Sequence, residues 1–281
     1  MKPLAGKIAV VTGGSRGVGK GVAIALGAAG ATVYVTGRSV RQGDSRPYLP
    51  GTVGETADAV TAAGGRGIAI RCDHYDAGQV SDAFATIARE QQYLDILVNN
   101  CWDGYRDMVD ANDHFTWVDP FWQQSVKRWD EMFGGGVRPA FLASRLAAPL
   151  MLAQKRGLIV NISYWAAKRY MANLVYGVAK TAVDRMAADM AHDLHDHGIA
   201  AVALYPGLVR TEAVMKYGVG TYDMSNAESP EFTGRAVAAL AADPNVMAKS
   251  GSVLIAAELA LEYGFTDTDG RQPRPLTLET A

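Results

Sequence analysis

The feature that most constrains this chain is a strict alternation of short β-branched runs with longer amphipathic segments. The runs predict seven strands, at 7–12, 32–36, 67–71, 95–98, 158–162, 199–204 and 252–255. Helical spacing of apolar residues predicts helices between them, at 17–29, 53–63, 78–91, 121–155, 174–197 and 230–242. Because strands that alternate with helices form right-handed βαβ units, we predict an α/β fold. Its core would be a doubly wound parallel sheet with helices on both faces.

The domain organisation follows from the same pattern. No Pro- or Ser-rich linker interrupts it, so we predict one domain over residues 1–281. Three segments depart from the alternation: a polar loop at 40–52, an aromatic loop at 101–122, and a tail at 258–281 that should be extended or loosely attached. Because long loops in compact domains are often functional, we expect the aromatic loop to contact substrate, with surface decoration as the alternative.

Composition excludes several classes of protein. A net charge of −2 gives no electrostatic reason to expect nucleic-acid binding, and 49% hydrophobic residues exclude a disordered chain. Two cysteines, Cys72 and Cys101, argue against a disulfide scaffold, and the apolar runs fall short of the roughly 20 residues that span a bilayer. The N-terminus leads into the first strand without a cleavage site. We therefore expect a globular cytoplasmic protein that binds no nucleic acid and spans no membrane.

Residues 12–19 form a glycine-rich turn between the first predicted strand and the first predicted helix. Glycines permit a sharp bend and let phosphate oxygens approach the backbone, while N–H groups at a helix start attract anions. The turn therefore favours binding of a dinucleotide pyrophosphate over the alternative, a turn without ligand. The residues expected to contact the cofactor are Thr12, Gly13, Ser15, Arg16, Gly17, Val18 and Gly19.

The end of the second strand indicates which dinucleotide binds. An NAD site usually has an acidic residue there for the ribose 2′-hydroxyl, whereas this chain has Arg38, with Arg16 nearby in the glycine turn. Guanidinium groups match phosphate oxygens, so the pair favours NADP(H) over NAD(H). Both arginines could instead be solvated.

Two more polar residues follow predicted strands, where ligands lie in a doubly wound sheet. Asp73 is expected to bond the adenine amino group, and Asn99 to fix the adenosine half. Either residue could instead form a local turn, as Asp and Asn commonly do.

The candidate catalytic residues are Ser163, Tyr176 and Lys180. Tyr176 and Lys180 are four positions apart on one predicted helix, so they share a face, and Ser163 ends a predicted strand. A carbonyl oxygen that receives negative charge during hydride transfer needs a proton, and a free tyrosine with a pKa near ~10 is a poor acid–base group. We expect Lys180, with an oxidised nicotinamide, to lower the pKa of Tyr176, and Ser163 to hold the substrate oxygen.

A second pair, Tyr164 and Lys168, has the same spacing. It lies directly after the strand in a predicted loop and lacks the long periodic helix that contains Tyr176. We therefore favour Tyr176 and Lys180.

In combination and order, these motifs resemble the short-chain dehydrogenase/reductase family over nearly the whole chain. The matching residues are Thr12, Gly13, Gly17, Gly19, Asn99, Asn100, Ser163, Tyr176, Lys180, Pro206, Gly207 and Thr211. The resemblance implies a seven-stranded Rossmann-type sheet and NAD(P)-dependent oxidoreduction. Tyr176 would be the acid and base, and Lys180 would bind the nicotinamide ribose.

The resemblance also implies roles for later segments. Residues near the nicotinamide carboxamide and the phosphates would be Pro206, Gly207, Val209 and Thr211. The segment after them would form a lid. A homodimer or homotetramer would assemble through the helices at 121–155 and 174–197.

The chain departs from the family pattern at two places. Most members have NNAG where this chain has Asn99-Asn100-Cys101-Trp102. Many carry a catalytic asparagine seven positions after a helix tryptophan, which from Trp129 falls on Gly136. A residue without a side chain cannot hold the water of the usual proton relay. With the C-terminal sequence, these departures resemble one branch of the family, for which NADPH-dependent reduction of carbonyls, including steroid-like ketones, is implied.

Other chemistry has less support. His192 and His195 have a spacing that permits a metal pair, but they close a helix where cations complement the dipole, so we expect no metal. The serine-hydrolase signature G-x-S-x-G is absent. Two hypotheses remain: an NADP(H)-dependent enzyme that interconverts small carbonyl compounds, hydrophobic ones included, with their alcohols, and a catalytically impaired protein that binds nucleotide.

Overall fold

The sheet determines where functional groups can meet. The structure is a computed structural model that describes residues 2–44, 49–105, 108, 114–218 and 222–281. Within these residues the strands are β1 (Ile8–Thr12), β2 (Thr32–Gly37), β3 (Arg66–Arg71), β4 (Ile96–Asn99), β5 (Gly157–Ile162), β6 (Ile199–Tyr205) and β7 (Val253–Ile255). They form one sheet in the order β3-β2-β1-β4-β5-β6-β7, and every pair is parallel. The predicted doubly wound parallel sheet is confirmed.

Helices cover both faces of this sheet. They are α1 (Gly17–Ala28), α2 (Val53–Ala62), α3 (Ala77–Gln91), α4 (Val126–Met132), α5 (Arg138–Leu152), α6 (Leu174–Leu194), α7 (Glu212–Tyr217), α8 (Pro230–Ala242) and α9 (Ala256–Tyr263). One buried apolar cluster joins the strands to α1, α2, α8 and α9, and a second joins them to α3, α5 and α6. Because the central strands are buried on both faces, they are continuous apolar runs rather than alternating ones.

The helix predicted at 121–155 is not continuous. α4 begins at Val126, where Ser125 accepts a hydrogen bond from the N–H of Lys127. A π-helical turn at Phe133–Val137 separates it from α5. The turn contains three consecutive glycines, which weaken an α-helix and leave room for side chains from other segments.

The C-terminal prediction is partly wrong. Residues 256–263, expected in part as loose tail, form α9, which packs on α8. The Asp267 side chain is fully buried; it accepts a hydrogen bond from the Ser229 N–H (2.8 Å) and pairs with Arg210 (3.1 Å). The chain is therefore anchored at Asp267, because a buried carboxylate needs partners that only a fixed position supplies.

Within the described part of the chain, no helix is long and apolar enough to cross a membrane. Part of each predicted loop lies outside the described residues: 45–48 in the loop at 40–52, and 106, 107 and 109–113 in the loop at 101–122.

Candidate active site

The glycine turn joins β1 to α1, and the end of β4 holds it in place. The Thr12 hydroxyl accepts hydrogen bonds from the backbone N–H groups of Asn100 (3.0 Å) and Cys101 (3.1 Å). The Asn100 amide donates to the carbonyl oxygens of Thr12 and Gly13, both at 3.1 Å. Gly13 and Gly17 have φ values of 65° and 55°, which glycine adopts readily. Asn100 thus fixes the shape of the turn, a role that sequence reasoning did not assign.

A carboxylate lies at the N-terminus of α1. The Gly17 N–H donates to Glu212 Oε2 at 2.8 Å, and Glu212 is the first residue of α7. Backbone N–H groups at a helix start favour negative groups. The turn thus holds an oxyanion like those of a dinucleotide phosphate, so the residues present fit such a cofactor.

Two arginines lie by the end of β2, as predicted, and both have partners. Arg16 Nη2 donates to the Ser39 hydroxyl at 3.0 Å. Arg38 Nη2 donates to Asp103 at 2.9 Å, and Arg38 Nη1 lies 4.0 Å from Asp73. The charge of Arg38 is therefore partly neutralised by two carboxylates, and sequence reasoning had not linked Asp103 to this corner.

Asp73 and Asn99 lie at strand ends, and their side chains have partners inside the protein. Asp73 Oδ1 accepts a hydrogen bond from the Tyr75 N–H at 3.1 Å. The Asn99 amide donates to the Ser144 hydroxyl (2.9 Å) and to Asn161 Oδ1 (2.8 Å). Asn99 therefore connects β4 with α5 and β5, while the adenosine contacts of Asp73 and Asn99 stay predictions.

The start of α6 places Tyr176 in the first helical turn. Asn173 Oδ1 accepts a hydrogen bond from the Tyr176 N–H at 3.0 Å, which is an N-cap. The other end of the same amide donates to the Trp117 carbonyl (3.1 Å) and to Gln124 Oε1 (3.2 Å). Asn173 therefore ties the helix start to the aromatic loop.

Lys180 lies one turn after Tyr176 on the buried face of α6, as the spacing predicted. Its Nζ is 5.7 Å from the centroid of the Tyr176 ring and 3.5 Å from the Ile162 carbonyl at the end of β5. Ser163 follows Ile162, and its hydroxyl donates to the Lys180 carbonyl at 3.3 Å. Burial lowers the pKa of Lys180 to about 8, while Asp184 acts in the opposite direction.

Aromatic rings surround Tyr176. Their centroids lie at 5.2 Å (Trp117), 5.5 Å (Trp102), 6.3 Å (Tyr105) and 6.5 Å (Tyr164). Burial, and then the neighbouring Tyr105 with its hydrogen bond, hold the pKa of Tyr176 well above its usual value of 10. The lowering that sequence analysis expected applies to the complex with an oxidised nicotinamide and stays a prediction; here the ammonium of Lys180 lies over the Trp102 ring.

The described part of the aromatic loop divides into two parts. Trp102, Tyr105 and Trp117 reach the Tyr176 ring, whereas Phe121 and Trp122 have 58% and 72% of their surface exposed. The Trp102 Nε1–H is buried and has no hydrogen-bond acceptor among the described residues. A ligand beside Tyr176 would therefore meet the first part of the loop.

A carboxylate that sequence reasoning missed lies near Ser163. Asp184 Oδ2 accepts a hydrogen bond from the Tyr205 hydroxyl, and Asp184 Oδ1 is buried without a hydrogen-bond partner among the described residues. Burial raises the pKa of Asp184 above its usual value. The i, i+4 spacing from Lys180 was the available signal, since it places Asp184 on the same helix face.

The loop after β6 carries the residues that the resemblance placed near nicotinamide. Gly207 donates its N–H to the Glu228 carboxyl, and Val209 pairs with Glu228 in a short parallel bridge. The Thr211 hydroxyl accepts from the Val214 N–H at 3.3 Å and caps α7. Burial raises the pKa of Glu228 to about 8. Sequence reasoning missed Glu228.

The described residues form neither the alternative Tyr164–Lys168 catalytic pair nor a histidine metal site. Lys168 is exposed and Tyr164 turns toward Tyr176, and a short 3₁₀ turn at Trp165–Ala167 separates them. His195 pairs with Asp196 at 3.1 Å in solvent. Among the residues that the structure describes, no group of three or more His, Cys, Asp or Glu could hold a metal ion.

Comparisons with known proteins agree with this geometry. The family model "short chain dehydrogenase" matches residues 7–219. Dehydrogenase/reductase SDR family member 1 of Mus musculus is 39% identical, covering 96% of this chain and 85% of that protein, and the Homo sapiens protein is 37% identical over the same shares. A short chain dehydrogenase structure from Mycobacterium thermoresistibile superposes with a TM-score of 0.80 at 28% identity, covering 98% of this chain and 93% of that one. The chain therefore belongs to the short-chain dehydrogenase/reductase family, in the branch of SDR family member 1.

Proposed function

We propose that the protein is an NADP(H)-dependent oxidoreductase that interconverts a carbonyl and an alcohol, with Tyr176 as acid and base. The observation that carries the proposal is the pairing of Tyr176 with Lys180 on the buried face of α6, at the end of β5. In a parallel sheet the carboxyl ends of β1, β4, β5 and β6 share one edge, so the glycine turn lies at the same edge as this pair.

The cofactor part of the proposal rests on three groups. The glycine turn would hold the pyrophosphate at the N-terminus of α1, where Glu212 lies now. Arg16 and Arg38 at the end of β2 would bind the 2′-phosphate, which is why we favour NADP(H) over NAD(H). When bound, the reduced nicotinamide supplies the hydride.

The side chains of the chain itself would handle the proton. Burial holds the pKa of Tyr176 well above 10 without cofactor, so its phenol can donate to a carbonyl oxygen only if Lys180 and the bound nicotinamide lower that pKa in the complex. Lys180 would stabilise the phenolate that remains. Ser163, whose hydroxyl is held by the Lys180 carbonyl, would orient the substrate oxygen.

The surroundings of Tyr176 favour a hydrophobic carbonyl compound. Four aromatic rings face it, and Trp102 adds a buried N–H that can donate to a ligand oxygen. Such a surface suits a flat apolar ketone better than a sugar. This agrees with the steroid-like ketones that the branch implies.

A second candidate is a catalytically impaired protein that binds nucleotide. Gly136 favours it, since no side chain at that position can hold a relay water, and the Trp102 indole lies against it. The intact Ser163, Tyr176 and Lys180 favour the enzyme.

Replacement of Tyr176 by phenylalanine separates the two candidates. We expect Tyr176→Phe to lower the rate of ketone-dependent NADPH oxidation by about 10²–10⁴-fold, because the proton donor is lost while the ring remains. NADPH affinity, measured by the cofactor's fluorescence, should stay unchanged. Tyr170→Phe, at a side chain that is 72% exposed, is the matched control. Undiminished turnover by Tyr176→Phe would remove Tyr176 from its role, and a wild type that binds NADPH but reduces no carbonyl supports the second candidate.

A further inference from the structure

Gly136 leaves space that the Trp102 indole fills. A Cβ atom at position 136 would lie 2.5 Å from Trp102 Cε3 and 2.6 Å from Trp102 Cζ3. Such distances are far below a normal carbon–carbon contact of about 3.5–4.0 Å. Gly104 meets the other edge of the same ring, since a Cβ there would lie 2.8 Å from Trp102 Cζ2. The indole therefore fits in its position because residues 104 and 136 have no side chain.

The face of this indole contacts the ammonium of Lys180. Nζ lies 4.2 Å from the centroid of the Trp102 ring, closer than its 5.7 Å from the Tyr176 ring. An ammonium over the face of tryptophan is attracted by the ring quadrupole, and the attraction is larger when water is excluded. The hydrogen bond from Nζ to the Ile162 carbonyl is long, at 3.5 Å. Trp102 is thus a principal neighbour of this cation.

The titratable groups around Lys180 come from α6, from β6 and from the segment that follows β5. Tyr176 and Asp184 lie one turn before and one turn after it on α6. Tyr205 at the end of β6 binds Asp184, and Lys168 also acts on that carboxylate. Ser163 at the end of β5 contributes a hydroxyl that does not titrate. Since burial dominates the lowered pKa of Lys180, the groups that exclude water from Nζ matter most.

We propose that Trp102 is a positioning residue for Lys180, occupying the space that Gly136 leaves open and keeping water from the ammonium beside Tyr176. The proposal rests on the proposed function for its catalytic meaning, whereas the steric pairing of Trp102 with Gly136 does not. It explains the two departures from the family motifs as one change: the side chain lost at 136 is replaced by the ring gained at 102.

The steric half is tested by thermal unfolding of the full chain without cofactor. We expect Gly136→Asn to lower the Tm by about 5 °C, because a side chain is forced into the indole. The same substitution in a Trp102→Gly background should cost clearly less, since the ring is gone. Gly264→Asn is the control, because nothing lies within 4 Å of its Cβ and asparagine tolerates the positive φ there. An equal Tm loss from Gly136→Asn in both backgrounds would overturn the pairing.

The positioning half is tested by pH profiles of kcat/KM and of NADPH affinity. We expect Trp102→Ala to lower kcat/KM by about tenfold. We also expect the fall of kcat/KM at high pH, the basic limb of the profile, to move upward by about one pH unit, because water reaches Lys180 and its pKa returns toward the ordinary value. Trp102→Phe keeps a ring over the ammonium and should keep the wild-type limb. Trp122→Phe, in the exposed part of the loop, is the control.

The outcomes separate this proposal from the proposed function. A merely structural role for Trp102 would scale the rate equally at every pH, so an unmoved basic limb in Trp102→Ala would overturn the positioning role. If the wild type reduces no carbonyl, the proposed function fails. The basic limb is then measured from the pH dependence of NADPH affinity alone. If the basic limb of NADPH affinity shifts in Trp102→Ala, and the Tm loss from Gly136→Asn depends on the presence of Trp102, the positioning role is supported independently of turnover.

Discussion

At the scale of single residues, the proposed preference for NADP(H) rests on Arg38. Its guanidinium is bound to Asp103 at 2.9 Å and lies 4.0 Å from Asp73. A 2′-phosphate would compete with these carboxylates for the same donors, and it carries more charge than either. Arg16 is hydrogen-bonded to Ser39 just after β2 and would contact the same phosphate.

We expect Arg38→Ala to weaken NADPH binding by about 10–100-fold and NADH binding hardly at all, because one charge-assisted contact with a phosphate is lost. Dissociation constants for both cofactors, measured by fluorescence titration, check this. Arg89→Ala, on the exposed surface of α3, is the control. Equal losses for NADPH and NADH would mean that Arg38 does not read the phosphate.

Local spacing made some site residues predictable and left others hidden. Tyr176 and Lys180 could be found because an i, i+4 pair on one helix places both side chains on one face. Trp102 could not, since its partners Gly136 and Lys180 come from segments that meet only in the folded chain. The raised pKa of Tyr176 was hidden for the same reason, because it follows from rings supplied by several segments.

At the scale of elements, α7 and α1 meet where a phosphate would bind. Glu212 begins α7 and accepts a hydrogen bond from the Gly17 N–H, while Thr211 caps the same short helix. The first turn of α1 cannot hold this carboxylate and a pyrophosphate at the same N–H group. If a dinucleotide binds there, the Glu212 side chain has to leave this N–H group.

Removal of that carboxylate's charge should tighten cofactor binding. We expect Glu212→Gln to lower the dissociation constant of NADPH by about fivefold, since a charged competitor at the helix N-terminus is replaced by a neutral group. Isothermal titration measures the constant directly. Glu258→Gln, in the first turn of α9, is the control. Weaker binding in Glu212→Gln would mean that the carboxylate helps to hold the cofactor-bound state.

Element boundaries were predictable where apolar periodicity was strong. The predicted helix at 230–242 coincides with α8, whose first residue is a proline with Ser229 as N-cap. The sequence did not predict the π-helical turn inside the helix expected at 121–155. Its three glycines leave room for Tyr75, Asp103 and Trp102, which come from elsewhere in the chain. The short helices α7 and α9 have too few turns for periodicity to be recognised.

At the scale of the whole molecule, one sheet edge collects the groups that the proposed chemistry needs. Parallel strands bring their carboxyl ends together, so residues from positions 12, 100, 163 and 207 can meet although the chain separates them widely. The alternation of strands and helices was sufficient to predict this arrangement. The contacts of the aromatic loop were not predictable, because an irregular segment has no period that fixes its path.

The most direct test of the account is the fate of the hydride. The protein would be mixed with NADPH dideuterated at nicotinamide C4 and with a panel of ketones and aldehydes, and the products analysed by mass spectrometry. We predict deuterium on the carbon that bears the new hydroxyl group, at wild-type level in Tyr170→Phe and strongly reduced in Tyr176→Phe. Bound NADPH with every carbonyl compound left unreduced and unlabelled would contradict the account.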